Sequence, residues 1–176
     1  METIVIERNK HNPNEYENFK WLLQARPKST STTRPMLSYI GIFKHRAVCT
    51  DGARMYMILH IGYKPGNYKV VSSDKASIVL QEVGPEEGTF PDVKQVIPKK
   101  KCQSIKNISN SKKMPGRAYT LIVRKMPENS TLDYDYCDQT LGEDKEWTVR
   151  ITPEGGPIRF QNHGKSALIM PMRLLD

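Results

Sequence analysis

Short runs of apolar residues, many of them alternating with polar ones, recur along this chain and predict a protein rich in β-strands. Ile, Val and Leu dominate these runs, and segments with Gly, Pro, Asp or Ser separate them. That arrangement is typical of strands joined by turns. The strands are predicted at residues 3–7, 37–43, 47–50, 54–61, 68–72, 78–83, 119–124, 147–152, 157–161 and 167–170.

Pro171 bounds the last of these strands. Because proline has no N–H to donate, we expect the strand to end near Ile169 or Met170. A second flexible methionine, Met172, follows the proline, and such side chains suit a surface that adapts to partners. A terminus this apolar is expected to be docked, and it is a candidate for part of a binding site.

Two other segments have the period of an amphipathic helix. Asn12 is a capping residue and Pro13 suits the first helical position, so a helix is predicted from Pro13 to about residue 25. A second helix is predicted over residues 132–141, with Ser130 or Thr131 at its start. The apolar face of the first helix consists of Tyr16, Phe19, Leu22 and Leu23.

The order strand, helix, and three or more strands therefore occurs twice. This order predicts an α+β fold in which each helix covers one face of a sheet. The chain of 176 residues is expected to form one domain, with half-units of about 1–89 and 90–176. Two small domains divided near residue 90 are the alternative.

The composition is that of a chain that folds in a reducing compartment. No apolar run approaches the roughly 18 residues that a membrane helix needs, and the N-terminus lacks the features of a signal peptide. Cys49, Cys102 and Cys137 are odd in number and far apart, which favours reduced thiols. We therefore expect a cytoplasmic protein without a membrane partner.

Positive charge is concentrated in one part of the chain. The formal net charge is +8, and residues 94–126 carry ten Lys or Arg and no Asp or Glu. Local basicity favours a polyanionic partner, with nucleic acid ahead of membrane. A solvated Lys-rich loop is the open alternative.

The sequence offers no constellation for catalysis or for a cofactor. Its His residues are scattered, without the spacing of metal ligands. Asp133, Asp135 and Asp138 lie close together but lack the spacing of a calcium loop, so a solvated helix start is favoured. No phosphate-binding loop, Gly-x-Ser-x-Gly or dinucleotide fingerprint occurs. We expect a protein that is not an enzyme and that uses neither metal nor cofactor.

Four short motifs, each weak by itself, are informative in their order. They are Arg34-Pro35-Met36-Leu37, Val48 to Arg54 with its Thr50-Asp51-Gly52 turn, Phe90 to Pro98, and Met170-Pro171-Met172-Arg173-Leu174. In this order the chain resembles the bacterial DNA polymerase III beta subunit, the sliding clamp. That family carries a Thr-Asp-Gly turn and a Phe-Pro-Asp connector, and it ends in Met-Pro-Met-Arg-Leu.

The chain also departs from the family pattern. Ala53 stands where the turn of the family has His, and Gln95 replaces the second basic residue of the connector. The stretches between the motifs are shorter, and the first domain of the family has no counterpart. The resemblance covers most of residues 34–60, 89–98 and 119–174, and little of 99–118. It implies a shortened clamp of the kind a phage or mobile element carries.

The resemblance implies the DNA clamp (processivity) fold and a role in DNA replication. A processivity factor of this kind would bind clamp-binding peptides of DNA polymerase or other replication proteins in a hydrophobic pocket. It would also act on double-stranded DNA as a homo-oligomer, with a clamp loader as a possible partner. The implied pocket residues are Leu37, Thr50, Gly52, Arg54, Met55, Pro91, Val96, Leu168, Met170, Pro171, Met172 and Arg173.

The pocket residues have an alternative interpretation, since Leu37, Val96 and Leu168 suit a plain core as well. Arg54 and Arg173 are expected at the rim of the pocket, where they would pair with acidic or carbonyl groups. A clamp-derived adaptor or competitor that keeps the pocket without forming a ring is the alternative function. The candidate DNA contacts are Lys20, Arg26, Lys28, Lys99, Lys100 and Lys101, which would touch phosphates without reading bases.

Overall fold

The computed structural model describes residues 1–9, 13–27, 34–88, 90–98, 102–110, 116–143 and 146–174. Its tertiary contacts divide the chain into two compact units, Met1–Asp92 and Val93–Asp176. Each unit combines an antiparallel sheet with α-helix, so the predicted α+β class is confirmed. Whether the units form one domain or two truncated ones stays a prediction.

Unit 1 contains six strands and one α-helix within its described residues. The strands lie in the antiparallel order β1-β6-β5-β2-β3-β4. Short 3₁₀ helices occur at Pro35–Ser38 and Pro85–Glu87. The elements are β1 (Thr3–Glu7), α1 (Pro13–Leu23), β2 (Ile40–Phe43), β3 (Arg46–Thr50), β4 (Arg54–Leu59), β5 (Gly66–Ser73) and β6 (Ser77–Val83).

The predicted helix α1 is confirmed, and its apolar face forms the core of unit 1. Phe19 and Leu22 are fully buried, as the helical spacing predicts. Trp21 stacks on Tyr56 of β4 with ring centroids 4.4 Å apart. Alternate residues of β1 are buried in the same way, so the strand contributes one face to the core and leaves the other outside.

Within its described residues, unit 2 contains a four-stranded antiparallel sheet in the order β11-β10-β9-β7 and a separate pair, β12-β8. A short 3₁₀ helix at Val93–Gln95 lies within the Phe90 to Pro98 motif. The elements are β7 (Gln103–Ile108), α2 (Arg117–Val123), β8 (Ser130–Thr131), α3 (Tyr134–Leu141), β9 (Trp147–Ile151), β10 (Ile158–Asn162), β11 (Lys165–Ile169) and β12 (Met172–Arg173).

The helices of unit 2 correct two sequence predictions. Residues 119–124 were predicted as a strand, but residues 119–123 belong to the helix α2 and Arg124 is its C-cap. Ala118 and Ile122, one helical turn apart, are its buried residues, so packing on one face overrides the strand preference of the β-branched run. The second helix begins later than predicted, because Asp133 is its cap and accepts from the Tyr136 N–H at 3.0 Å.

Strands β7, β8 and β12 were not predicted, whereas the predicted strands other than residues 119–124 are confirmed with shifts at their ends. The segment predicted from residue 37 begins as a 3₁₀ helix and becomes a strand only at Ile40. The core of unit 2 lies between the sheet and α3, where the Trp147 indole N–H donates to the Leu141 carbonyl at 3.1 Å. Trp147 and Phe160 are fully buried there.

Candidate peptide-binding and DNA-binding surfaces

The C-terminal segment is held on unit 2 by a short ladder. Strand β11 ends at Ile169, as the proline predicts. After Pro171 the chain pairs again, with Met172 opposite Thr131 and Arg173 opposite Ser130. The ladder extends by one bond, because the Leu174 N–H donates to the Asn129 carbonyl at 3.0 Å. The prediction that this apolar end is docked is therefore confirmed.

Three apolar side chains of this segment remain exposed. Met170 is 45% exposed, Met172 46% and Leu174 53%. Met172 and Leu174 occupy alternate positions of the segment that pairs with residues 129–131, so they point to the same side, and Met170 directly precedes this segment. We call these three residues the C-terminal row. A row of flexible apolar side chains on a fixed backbone is suited to bind apolar anchors of an extended peptide.

The Thr50-Asp51-Gly52 turn is built by its own side chains. Asp51 Oδ1 accepts from the N–H groups of Ala53 at 3.0 Å and Arg54 at 2.9 Å. The Thr50 hydroxyl donates to the Arg54 carbonyl at 2.6 Å and accepts from the Gly52 N–H at 3.1 Å. Gly52 has φ +95°, a conformation that favours glycine. The motif therefore fixes a rigid, exposed turn tip between β3 and β4.

Arg54 does not lie at a rim. It is only 3% exposed, its Nε donates to Asp51 Oδ2 at 3.1 Å, and its Nη2 donates to the Gln24 carbonyl just after α1. The expected contact with a peptide is not supported by this burial, because the guanidinium already binds the turn to the end of the helix. Burial also raises the pKa of the neighbouring Cys49 thiol to about 12, so that side chain stays neutral.

The remaining predicted pocket residues fall into buried and exposed sets. A Cβ placed on Gly52 would lie 3.8 Å from Leu37 Cδ1, so these two residues of unit 1 are neighbours. The exposed residues are Gly52, Pro91, Val96, Met170, Met172 and Arg173, and Pro171 is half-buried. The buried residues are Leu37, Thr50, Arg54, Met55 and Leu168. Their joint role in one pocket stays a prediction.

Two of the six predicted DNA contacts, Lys20 and Arg26, lie among the described residues. Lys20 Nζ lies 3.3 Å from the Ser73 hydroxyl and over the Tyr16 ring, so it is partly engaged within unit 1. Arg26 is half-buried, and its Nε has no hydrogen-bond partner among the residues that the structure describes. The other four predicted contacts lie outside the described residues, and they are Lys28, Lys99, Lys100 and Lys101.

A basic helix face was missed because α2 was predicted as a strand. Arg117 and Arg124 are exposed and lie seven residues apart, which is two helical turns, so they point to one side. Lys125 follows the end of the helix and is exposed too. We call these three residues the α2 basic face. The seven-residue spacing of Arg117 and Arg124 could have indicated this face, but such a spacing places two residues on the same side only in a helix.

The described residues contain no group of three or more His, Cys, Asp or Glu side chains that could hold a metal ion. Among the helices of the same ranges, none is both long and apolar enough to cross a membrane.

Comparison with known proteins shows similarity in structure rather than in sequence. No protein-family model matches the chain, and no curated protein matches it. The structure is similar to the DNA polymerase III beta subunit of Thermotoga maritima, with a TM-score of 0.61 and 13% identity over 98% of this chain and 66% of that chain.

Two further solved structures give the same result. The sliding clamp of Bacillus subtilis has a TM-score of 0.60 and 15% identity, over 99% of this chain and 65% of that chain. The Helicobacter pylori beta clamp bound to a DNA ligase peptide has a TM-score of 0.58 and 13% identity, over 96% of this chain and 65% of that chain. The chain therefore has the fold of the bacterial sliding clamps, over slightly less than two thirds of their length.

Proposed function

We propose that this protein is a clamp-like tether that holds replication proteins beside duplex DNA by binding their short linear peptides. The observation that carries the proposal is the C-terminal row, an exposed set of apolar side chains on a paired backbone in a protein with the clamp fold. The binding partner would be a DNA polymerase or another protein with a clamp-binding peptide. The similar H. pylori clamp has a DNA ligase peptide bound.

The peptide would be held mainly by burial of apolar surface. Each Leu or Phe anchor contributes about 1.5–3 kcal/mol when it is buried. Two anchors contribute about 3–6 kcal/mol before the costs of association, which suits reversible binding. Tethering itself needs no bond chemistry. A partner held near DNA meets its substrate at a high effective concentration and dissociates less often.

Contact with DNA would use the α2 basic face, in addition to the residues predicted from sequence. Arg117, Arg124 and Lys125 offer cations to phosphates without base readout. Each phosphate contact lowers the logarithm of affinity by about 0.9 for every tenfold rise in salt. We propose that R117Q/R124Q lowers this salt slope by about two, while K69Q/K75Q, which removes two exposed charges from unit 1, leaves it unchanged.

Encircling DNA would require several copies, so a homo-oligomeric ring, opened by a loader, is part of the proposal. A phage or mobile-element source would fit the shortened motif spacing. A second candidate is an adaptor or competitor that binds the same peptides without a ring. It is favoured by the fact that the C-terminal row lies wholly within unit 2 and needs no second copy. Light scattering separates the two, because the ring predicts a closed multimer and the adaptor a monomer at high concentration.

The direct test is binding of a fluorescein-labelled DNA ligase peptide of the clamp-binding type, measured by anisotropy. We expect saturable binding that is lost when residues 170–176 are deleted. The matched control is a variant with Leu59, an apolar side chain 40% exposed on unit 1, replaced by Ser. Undiminished binding after the deletion would exclude the C-terminal row as the site.

A further inference from the structure

An unusual pair of like charges lies on the unit 2 sheet. Arg150 of β9 and Arg159 of β10 are directly opposite each other in the antiparallel ladder. Opposite residues share a face of the sheet, and like charges in this position destabilise it. Both the burial of Arg159 and the charge of Arg150 lower the pKa of the Arg159 guanidinium. The fold therefore holds two cations next to each other at a cost in stability.

The described structure provides no carboxylate to compensate this pair. Strands β7, β9, β10 and β11 contain no Asp or Glu, and no ion pair to either Arg occurs among the described residues. The hydrogen bond found for Arg159 is a long one, from Nε to the Ser166 hydroxyl at 3.5 Å. Arg150 is exposed and Arg159 half-buried, so both can be reached from solvent.

The position of the pair relates it to the predicted pocket. Leu168 of β11 is directly opposite Arg159, so Leu168, Arg159 and Arg150 form one row across three strands. Neighbouring strands are about 4.8 Å apart, which places Arg150 about 10 Å from Leu168. The chain reaches Met170, the first residue of the C-terminal row, two residues after Leu168. An extended peptide spans this distance with about three residues.

The opposite face of the same sheet carries the core. Trp147 and Val149 alternate with Arg150 along β9, are fully buried, and Trp147 bonds to the end of α3. The Arg pair thus points away from α3 and from the side of the sheet on which α2 packs against α3. This geometry favours an acidic protein segment over nucleic acid as the occupant.

We propose that Arg150 and Arg159 form a carboxylate-binding pair that selects partner peptides with acidic residues beside their apolar anchors. This inference rests on the proposed peptide binding and adds the chemistry of the preferred partner. Arg side chains suit the task because the guanidinium fork matches a carboxylate in a bidentate manner. The carboxylate would also supply the missing counter-charge between the two guanidinium groups.

The test uses two labelled peptides that share one Leu and one Phe anchor and differ only in their flanks, two Asp in one and two Asn in the other. Wild-type protein is expected to bind the acidic peptide about fivefold more tightly, a ratio that falls as salt is raised. The preference is expected to disappear in R150Q/R159Q, with the affinity for the Asn peptide unchanged. R159K keeps the charge but not the guanidinium fork, so it is expected to keep only part of the preference. K69Q/K75Q, which removes two exposed charges from unit 1, should keep all of it.

Each other outcome has a distinct meaning. Equal binding of both peptides by the wild type, or a preference that survives in R150Q/R159Q, would overturn this inference and leave the proposed function in place. Failure of both peptides to bind would overturn the proposed function and the inference together. Loss of single-stranded oligonucleotide binding in R150Q/R159Q, without any peptide preference in the wild type, would assign the pair to nucleic acid and refute the acidic peptide.

Discussion

Replacement of Arg54 by Met tests whether this residue holds the fold or binds a partner. The side chain is 3% exposed and joins three parts of unit 1. It pairs with Asp51 at 3.1 Å, donates to the Gln24 carbonyl, and lies over the Tyr56 ring at 5.5 Å. Met keeps the apolar stem but removes every one of these polar contacts, so the substitution isolates the guanidinium.

The expected loss follows from the burial of the pair. Removing one partner of a buried ion pair costs about 3–5 kcal/mol, because the other charge is left uncompensated. Asp51 retains the N–H bonds from Ala53 and Arg54, and its side chain is 13% exposed. These contacts relieve part of the penalty, so we expect about 3 kcal/mol, near the lower limit. That is a large share of the about 5–15 kcal/mol typical of a folded protein.

The measurement is urea unfolding followed by circular dichroism, with hydrogen exchange to localise the loss to β3 and β4. The matched control is Arg46→Met on β3, where the guanidinium lies over the Phe43 ring at 5.3 Å. A contact of this kind contributes about 0.5–1 kcal/mol. The reasoning would be refuted if R54M unfolded at the same urea concentration as R46M. It would also be refuted if R54M weakened peptide binding without any loss of stability, since that result would indicate that Arg54 contacts the peptide.

Two further predictions concern thiols and pH. In native protein at pH 8, Cys102 is expected to react with a thiol reagent well before Cys49 and Cys137, because burial raises the pKa of both other thiols to about 12; equal rates measured by mass spectrometry would contradict this. The hydrogen bond from Lys64 at 2.8 Å lowers the pKa of Glu82 below its usual 4.5. The interaction of ionised Glu82 with Lys64 therefore stabilises the fold fully above about pH 4.5, and this stabilisation is lost as the pH falls through the folded pKa of Glu82. We expect E82Q to reduce the fall of the urea unfolding midpoint between pH 6 and pH 3, measured over that range.

The sequence predicted those elements whose local signals agree with their packing. Helix α1 has a proline at its first position and an apolar face at helical spacing, and that face is buried as expected. Strand β11 ends at Ile169 because Pro171 follows shortly afterwards. The fold class and its likeness to the sliding clamps could be predicted for the same reason, because short motifs such as the Asp51 turn are set by local chemistry.

Other elements could not be predicted because tertiary packing decides them. The Leu121-Ile122-Val123 run has strand preference, yet it is helical because Ala118 and Ile122 share a buried face. Strand β7 contains mostly polar residues, as an edge strand tolerates, so it carries little periodic signal. The buried role of Arg54 depends on the Gln24 carbonyl, thirty residues earlier in the chain, which no local pattern specifies.

The most direct test of the central claim is the affinity of the labelled DNA ligase peptide for M170S/M172S. Both side chains are slightly less than half exposed, so a bound peptide would bury about half of the surface of each. Full burial of a Met contributes about 1.5–3 kcal/mol, so each Met would contribute about half of that to binding. We expect a loss of about 2 kcal/mol for the pair, or about 30-fold in Kd. Because the row is exposed, the stability of the protein should change by less than about 0.5 kcal/mol. An unchanged Kd in a stable double variant would contradict the account that the C-terminal row binds partner peptides.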